Sequence, residues 1–85
     1  MRYRQGEVWQ VEFGKDLERP GIIVSRDELN HGRLLLTIPC TGSQVRERAR
    51  YENHVFLPAG AGGLDKDSVA QTHLVQPVQR EFFLS

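Results

Sequence analysis

The stretch that decides the fold is Glu18-Arg19-Pro20-Gly21-Ile22-Ile23-Val24-Ser25, a loop that leads into a short apolar strand. The β-branched run Ile22-Ile23-Val24 suits a pleated, buried surface. Pro20 has no N–H to give to a ladder, so the strand is predicted to begin at Pro20 or just after it. Arg19 is held extended by the proline that follows it. It is either a fixed phosphate clamp at the mouth of the strand or an ordinary surface arginine.

The segment before this stretch alternates between apolar and polar residues over positions 7–13, with Trp9, Val11 and Phe13 on one face. Such alternation is typical of a half-buried strand. A short loop over residues 14–17, which contains Lys15, then leads to Arg19. After the apolar strand, residues 25–30 are expected to form one helical turn, capped by Ser25 or Asp27.

The remainder of the chain also consists of short strands between glycines and prolines. Residues 33–38 are nearly continuous apolar sequence and predict a strand buried on both faces and ended by Pro39. A polar turn over residues 40–44 follows. Further strands are expected at 54–57, 68–74 and 75–78, and residues 80–85 resemble the opening of a helix or a segment docked on the body. The pattern predicts a mainly β fold, a small antiparallel barrel with one or two short helices.

Three arginines, Arg46, Arg48 and Arg50, follow one another at period two. In a strand or an extended loop they would line one face, whereas in a helix they would scatter. They are candidates for contact with a phosphate backbone, although most charge runs are simply solvated.

The composition sets limits on class and partners. With 85 residues the chain is predicted to be one domain, residues 1–85, with a marginal core that favours oligomerisation. Its single cysteine excludes an internal disulfide, and no zinc-ligand spacing is present, so we expect no metal. The formal net charge of zero argues against bulk electrostatic binding of nucleic acid, although nine of the 11 basic residues are arginine, which pairs with phosphate in a fork. The sequence contains no membrane span or signal peptide, so the expected location is the cytoplasm.

Four motifs, in this order and at roughly this spacing, resemble those of the MazF/PemK toxins. They are Gly6-Glu7-Val8-Trp9, Arg19-Pro20-Gly21-Ile22-Ile23-Val24-Ser25, Pro39-Cys40-Thr41 and Gly63-Leu64-Asp65-Lys66-Asp67-Ser68-Val69. The resemblance implies an SH3-like, CcdB-like barrel that dimerises and cuts single-stranded RNA without a metal or other cofactor. It also implies a partner antitoxin that lays an acidic segment over the active groove. Arg19 and Thr41 match the catalytic arginine and hydroxyl of the family.

The sequence departs from the family pattern in three places. The loop before Arg19 is short, so the flap over the RNA is reduced. Many relatives carry Asp-Gln where this chain has His73-Leu74. Relatives also continue into a C-terminal helix, whereas this sequence stops at Ser85.

The chemistry of RNA cleavage assigns roles to several side chains. Attack by the 2′-OH gives a 2′,3′-cyclic phosphate and a 5′-OH, and Arg19 suits the charge that develops on the phosphate. Thr41 can donate a hydrogen bond to the same phosphate. His73 is either the general base or an exposed strand histidine. The candidate RNA contacts are Lys15, Ser43, Gln44, Arg46, Arg48 and Arg50, of which Ser43 and Gln44 also suit a plain turn.

Several alternatives stay open from the sequence. Cys40 is either a nucleophile or a buried hydrophobic residue, and the latter is the commoner role. The aromatic residues Tyr3, Trp9, Phe13 and Tyr51 are able to stack on bases, although Trp9 and Phe13 better fit the core. The competing functions are a non-catalytic CcdB-like toxin that binds a gyrase-type target and a degenerate family member that acts by partner binding.

Overall fold

The structure is a computed structural model that describes residues 3–85, so that Met1 and Arg2 lie outside the described residues. Six strands carry most of the regular structure: β1 (Val8–Gly14), β2 (Leu17–Ile23), β3 (Leu34–Thr41), β4 (His54–Leu57), β5 (Ser68–Gln71) and β6 (Gln76–Gln79). The helical parts are α1 (Val45–Arg48) and single 3₁₀ turns at Asp27–Leu29, Ala61–Gly63, Thr72–Leu74 and Arg80–Phe82.

The strands form one antiparallel sheet in the order β1-β2-β3-β5-β4, and β6 pairs with β3 as well. A bridge between Val11 and Phe83 brings the C-terminal segment against β1. The predicted mainly β, antiparallel fold is therefore confirmed. Strand pairing among residues 3–85 does not close the sheet into a ring, and the arrangement is compatible with a small barrel-like fold.

The β1–β2 hairpin confirms the predicted alternation, since Val11 is fully buried and Trp9 and Phe13 pack against the core. The strand that carries the arginine, however, begins at Leu17 rather than at Pro20. Pro20 is tolerated inside β2 because Gln10, its partner on β1, forms its backbone hydrogen bonds elsewhere. The Gln10 N–H donates to the Ser85 carbonyl, and the Gln10 carbonyl accepts from the Leu84 N–H.

Gly21 is the position of β2 where the core comes closest to the backbone. A Cβ at this residue would lie 2.8 Å from Thr37 Cγ2, 2.9 Å from Phe13 Cζ and 3.1 Å from Val11 Cγ2. Any side chain would overpack these buried neighbours. The glycine after Arg19-Pro20 therefore lets β1, β2 and β3 close on one another.

β3 differs from the prediction in two ways. It is not buried on both faces, because Leu34 and Leu36 are 53% and 45% exposed while Leu35 is buried. It also runs past Pro39 to Thr41. Pro39 pairs with Gly21 of β2 on one edge of β3, and it is tolerated because the other edge has a gap there, after the ladder with β6 ends at Thr37 and before the ladder with β5 begins at Cys40.

The main core lies between the hairpin, the middle of β3 and the C-terminal segment. It consists of Tyr3, Val11, Ile23, Leu35, Val78 and Phe83. The ring centroids of Phe83 and Tyr3 are 5.3 Å apart, which fixes the chain end. Residues 80–85 therefore dock on the body, as one of the two alternatives for this segment predicted.

Three further expectations about local structure were wrong or only partly right. Residues 45–48 form a helix, so Arg46, Arg48 and Arg50 scatter and do not form a row. The strand expected over residues 68–74 ends at Gln71, and a 3₁₀ turn replaces its last three residues. Over residues 25–30 the expected single turn is present as 3₁₀ helix, without a side-chain cap. No helix within residues 3–85 has the length and apolar character needed to cross a bilayer.

Candidate active site

Arg19 lies on β2 just before the ladder with β3 begins. Its strand partner on β1 is Val11, and the first β2–β3 pair is Gly21 with Pro39. The half-buried side chain therefore reaches past the unpaired edge of β2 toward the end of β3. There its Nη1 donates to Thr41 Oγ1 over 3.4 Å, a long and hence weak hydrogen bond. The two residues that match the family's catalytic pair thus meet, although 22 positions separate them in sequence.

Thr41 is the last residue of β3 and is 4% exposed. It pairs with Val69 of β5, so the partner change around Pro39 sets its position. Its Oγ1 accepts a hydrogen bond from the Ser43 N–H (3.3 Å) and lies 3.1 Å from Ser43 Oγ. The hydroxyl is therefore held in place by the turn that follows it.

The turn after Thr41 is shaped by two special positions. At Gly42 a Cβ would overlap with Lys66 Cε, so the lysine side chain packs where a side chain at residue 42 would stand. Gln44 adopts the left-handed conformation, with φ 53°, and directs the chain into α1. At the end of α1, Arg48 donates from Nε to the Ser43 carbonyl over 3.1 Å, which brings a second guanidinium to the site.

These side chains line one cleft of 280 Å³, which we call the Arg19 cleft. One part of its wall is apolar and the other carries two guanidiniums, two hydroxyls and two amides. Its lining residues are Phe13, Leu17, Arg19, Pro39, Thr41, Ser43, Arg48, Gln71, Leu74 and Gln76. None of these ten is a carboxylate, a histidine or a lysine, so the ionised groups of the wall are both cationic. Such a cleft suits an anion with an attached apolar or aromatic group.

A larger hollow of 580 Å³ lies elsewhere and has a different character. Its walls include Arg4, Asp27, Glu28, His31 and Arg80. Arg80 is engaged there, because its Nη1 donates to the His31 carbonyl over 3.2 Å and its guanidinium lies 5.0 Å from the Tyr3 ring centroid. Opposite charges line this hollow together, so it lacks the purely cationic wall of the Arg19 cleft.

His73, the predicted general base, is exposed on the 3₁₀ turn after β5 and does not line the Arg19 cleft, whereas its neighbour Leu74 does. Its ring lies against His54, with centroids 5.0 Å apart. Partial loss of hydration lowers the pKa of His54, and the charges of His73 and Arg48 lower that pKa further. The catalytic role of His73 stays a prediction.

The predicted RNA contacts separate into two groups. Ser43 and Arg48 line the Arg19 cleft. The other four are exposed outside it: Lys15 in the hairpin turn, Gln44 before α1, Arg46 on α1 and Arg50 after α1. Arg46 borders a separate hollow that also contains Phe56 and Asp67.

Sequence reasoning missed the two amides of the cleft, Gln71 and Gln76. Gln71 ends β5 opposite His54, and Gln76 begins β6 and donates from Nε2 to the Leu74 carbonyl over 3.1 Å. The 3₁₀ turn at Thr72–Leu74 directs both toward the cleft. A reading of these residues as one strand conceals that turn, and the sequence offered no other signal for them.

The Cys40 thiol is unsuited to act as a nucleophile. Burial raises the pKa of the Cys40 thiol to about 11, so it is protonated at neutral pH and a poor nucleophile. Within residues 3–85 no group of three or more histidine, cysteine, aspartate or glutamate side chains is arranged to hold a metal ion.

The fold and the cleft together define a small antiparallel β protein with an arginine–threonine pair in a cleft whose charged lining residues are both arginines. Residues 4–84, nearly the whole chain, match the family described as PemK-like, MazF-like toxin of type II toxin-antitoxin system. The chain therefore belongs to this family, as the four motifs indicated. A search of curated proteins found no match.

Proposed function

We propose that this toxin is a metal-independent endoribonuclease that cleaves single-stranded RNA at a preferred sequence. The observation that carries the proposal is the meeting of the Arg19 guanidinium and the Thr41 hydroxyl in a cleft whose charged lining is entirely cationic. Membership of the toxin family supports it. The products would be a 2′,3′-cyclic phosphate and a 5′-OH.

The two arginines and the hydroxyl have matching roles in this reaction. When the 2′-oxygen attacks phosphorus, negative charge builds up on the non-bridging phosphate oxygens. Arg19 and Arg48 stay charged at every working pH and offer fork-shaped donors to those oxygens. Thr41, fixed by the Ser43 N–H, donates a further hydrogen bond. Donors positioned in advance for developing charge provide the largest part of such catalysis.

The Arg19 cleft lacks an obvious general base, because none of its ten lining residues is of a type that exchanges a proton near neutral pH. Arginine holds its proton too tightly to act as a base. We infer that hydroxide takes the 2′-OH proton, the 2′-oxyanion bonds to phosphorus, the P–O5′ bond breaks, and water protonates the departing 5′-oxygen. A general base at His73 is the alternative that the pH dependence tests.

We further propose that the toxin acts as a homodimer in the cytoplasm. Leu34 and Leu36 project from the same face of β3, both about half exposed, so they offer an apolar surface to a second copy. A chain of this size gains stability from such burial.

Family membership implies an antitoxin, and the cationic Arg19 cleft fits an acidic antitoxin segment that competes with RNA.

The experiment that tests the nuclease is incubation of the purified protein with a long single-stranded RNA in excess EDTA, followed by mapping of the ends. We expect cuts at a recurring short sequence, with 5′-OH ends that a polynucleotide kinase can label directly. RNA that stays intact under these conditions, with the protein folded, would contradict the proposal and favour a toxin that acts by binding.

A further inference from the structure

Three aromatic side chains form a continuous series beside the Arg19 cleft, and we call them the ring ladder: Tyr51, His54 and His73. The centroids of Tyr51 and His54 are 5.5 Å apart, and those of His54 and His73 are 5.0 Å apart. Tyr51 is 60% exposed and His73 is exposed, while His54 between them is half-buried. The ladder therefore has a supported centre and two accessible ends.

The segments that carry the ladder are held together by backbone and amide contacts. Asn53 provides these contacts: its carbonyl accepts from Thr72 N (3.0 Å) and from Thr72 Oγ1 (2.6 Å). Its Oδ1 lies 2.9 Å from His54 Nδ1 and orients that ring. These bonds tie the 3₁₀ turn that carries His73 to the start of β4, so the backbone that carries the rings is positioned before anything binds.

The ladder adjoins the Arg19 cleft on two sides. The Tyr51 N–H donates to the Arg48 carbonyl over 3.1 Å, and Leu74 directly follows His73. Arg48 and Leu74 both line the cleft. A nucleotide next to one whose phosphate contacts Arg19 and Arg48 would therefore have its base near these rings.

Exposed, preordered aromatic rings beside a phosphate site are the elements from which single-strand binding surfaces are built. A metal ion is a poorer occupant, because the ladder offers only two imidazoles and the described residues provide no third ligand. On this basis we propose that the ring ladder is a stacking subsite for one nucleobase that flanks the scissile phosphate. The inference rests on the proposed RNA cleavage and assigns His73 to substrate binding rather than to proton transfer.

The test measures steady-state cleavage of a short fluorescent oligoribonucleotide centred on the mapped cut site. Because a single base stacks on one end of the ladder, at least one of Tyr51→Ala and His73→Ala should raise KM by about 5- to 100-fold, the scale of one lost base–aromatic stack, with a smaller change in kcat. Tyr51→Phe and His73→Phe keep a ring and should recover most of that loss. Phe56→Ala removes an exposed ring from β4 outside the ladder and should leave KM unchanged.

A second series locates the stacked base by replacing each nucleotide near the cut with an abasic residue. At one flanking position, removal of the base should weaken RNA binding by the parent enzyme. In an alanine variant that has already lost the stack, removal of the same base should cause no further weakening. The subsite would be overturned if neither alanine variant changed KM. It would also be overturned if an alanine substitution raised KM by the same factor on every abasic RNA. Equal loss of kcat in His73→Ala and His73→Phe would assign proton transfer to His73 instead. A parent protein that cleaves no RNA would overturn the proposed function and the subsite with it.

Discussion

The two ends of β3 show how one strand carries two different kinds of surface. At the Leu34 end the strand pairs with β6, alternates regularly, and projects two leucines outward. At the Thr41 end it pairs with β5, is buried, and aims a hydroxyl at Arg19. Pro39 lies between these partners. The difference shows that apolar alternation leaves leucines exposed at one end, where we propose association, whereas a change of ladder partner places a polar side chain at the other end, where we propose chemistry.

The largest effect is expected from Arg19 at the Thr41 end of the comparison. Arg19→Ala should lower the single-turnover cleavage rate by about 10²- to 10³-fold, the scale for the loss of a preorganised donor. Arg19→Lys should recover little, because an ammonium lacks the planar fork. The measurement is the cleavage rate beside the Tm of each variant, with exposed Arg26→Ala as the matched control. An Arg19→Ala protein that cleaves at the parent rate would remove the main support of the nuclease proposal.

Thr41→Val is expected to slow cleavage by about 10- to 100-fold, since one neutral hydrogen-bond donor is worth less than a guanidinium. Thr41→Ser keeps the hydroxyl and should stay near the parent rate. The hydroxyl is buried and accepts a hydrogen bond from the Ser43 N–H. We therefore expect a loss of about 1–2 kcal/mol in the free energy of unfolding. Rates that fall only in proportion to the unfolded fraction would identify Thr41 as structural.

A substitution at the Leu34 end of β3 should change dimerisation rather than the rate of RNA cleavage. Leu34→Ala removes apolar surface from both copies of a dimer and should weaken dimerisation by ~10-fold or more, as judged from the area lost. Sedimentation over a range of concentrations measures this. Leu29, which is 63% exposed on a 3₁₀ turn, provides the control substitution Leu29→Ala. A parent protein that is monomeric, folded and active throughout the range would contradict the proposed dimer.

The smallest effect concerns Cys40, beside Thr41. Its folded pKa of about 11 lies above the ordinary value of 9.0, so the unfolded chain loses this proton first as pH rises. The stabilising contribution is therefore nearly complete at about pH 8 and should be smaller by about 1 kcal/mol at about pH 10. Denaturant unfolding of the parent and of Cys40→Ala at both pH values measures this effect. The difference between the two proteins separates the contribution of the Cys40 thiol from that of other titrating groups. An identical pH dependence in the two proteins would show that the thiol is accessible to water.

Most of the fold was predictable from local pattern. The alternation of Trp9, Val11 and Phe13 and the apolar run after Gly21 specified the hairpin. The errors in the bounds of β2 and β3 arose at prolines, because Pro20 and Pro39 were interpreted as strand boundaries. Proline is excluded only where its N–H would enter a ladder, and that depends on the neighbouring strand, which local pattern does not reveal.

The candidate site was only partly predictable. Arg19 and Thr41 were found through motifs, and the structure brings them together across the end of β3. The cleft amides Gln71 and Gln76 depend on a 3₁₀ turn that the alternating sequence conceals. The displacement of His73 from the cleft has the same cause, since a continued strand would have given this histidine a different direction.

The central claim is that the Arg19 cleft cleaves RNA without a titrating side chain, and the pH dependence of the single-turnover rate at saturating protein tests it most directly. If hydroxide is the base, the logarithm of the rate should rise with slope near one from about pH 5 to about pH 8, in the parent and in His73→Phe alike. An inflection near pH 6.5, about the ordinary pKa of histidine, that disappears in His73→Phe would contradict this account and identify His73 as the general base.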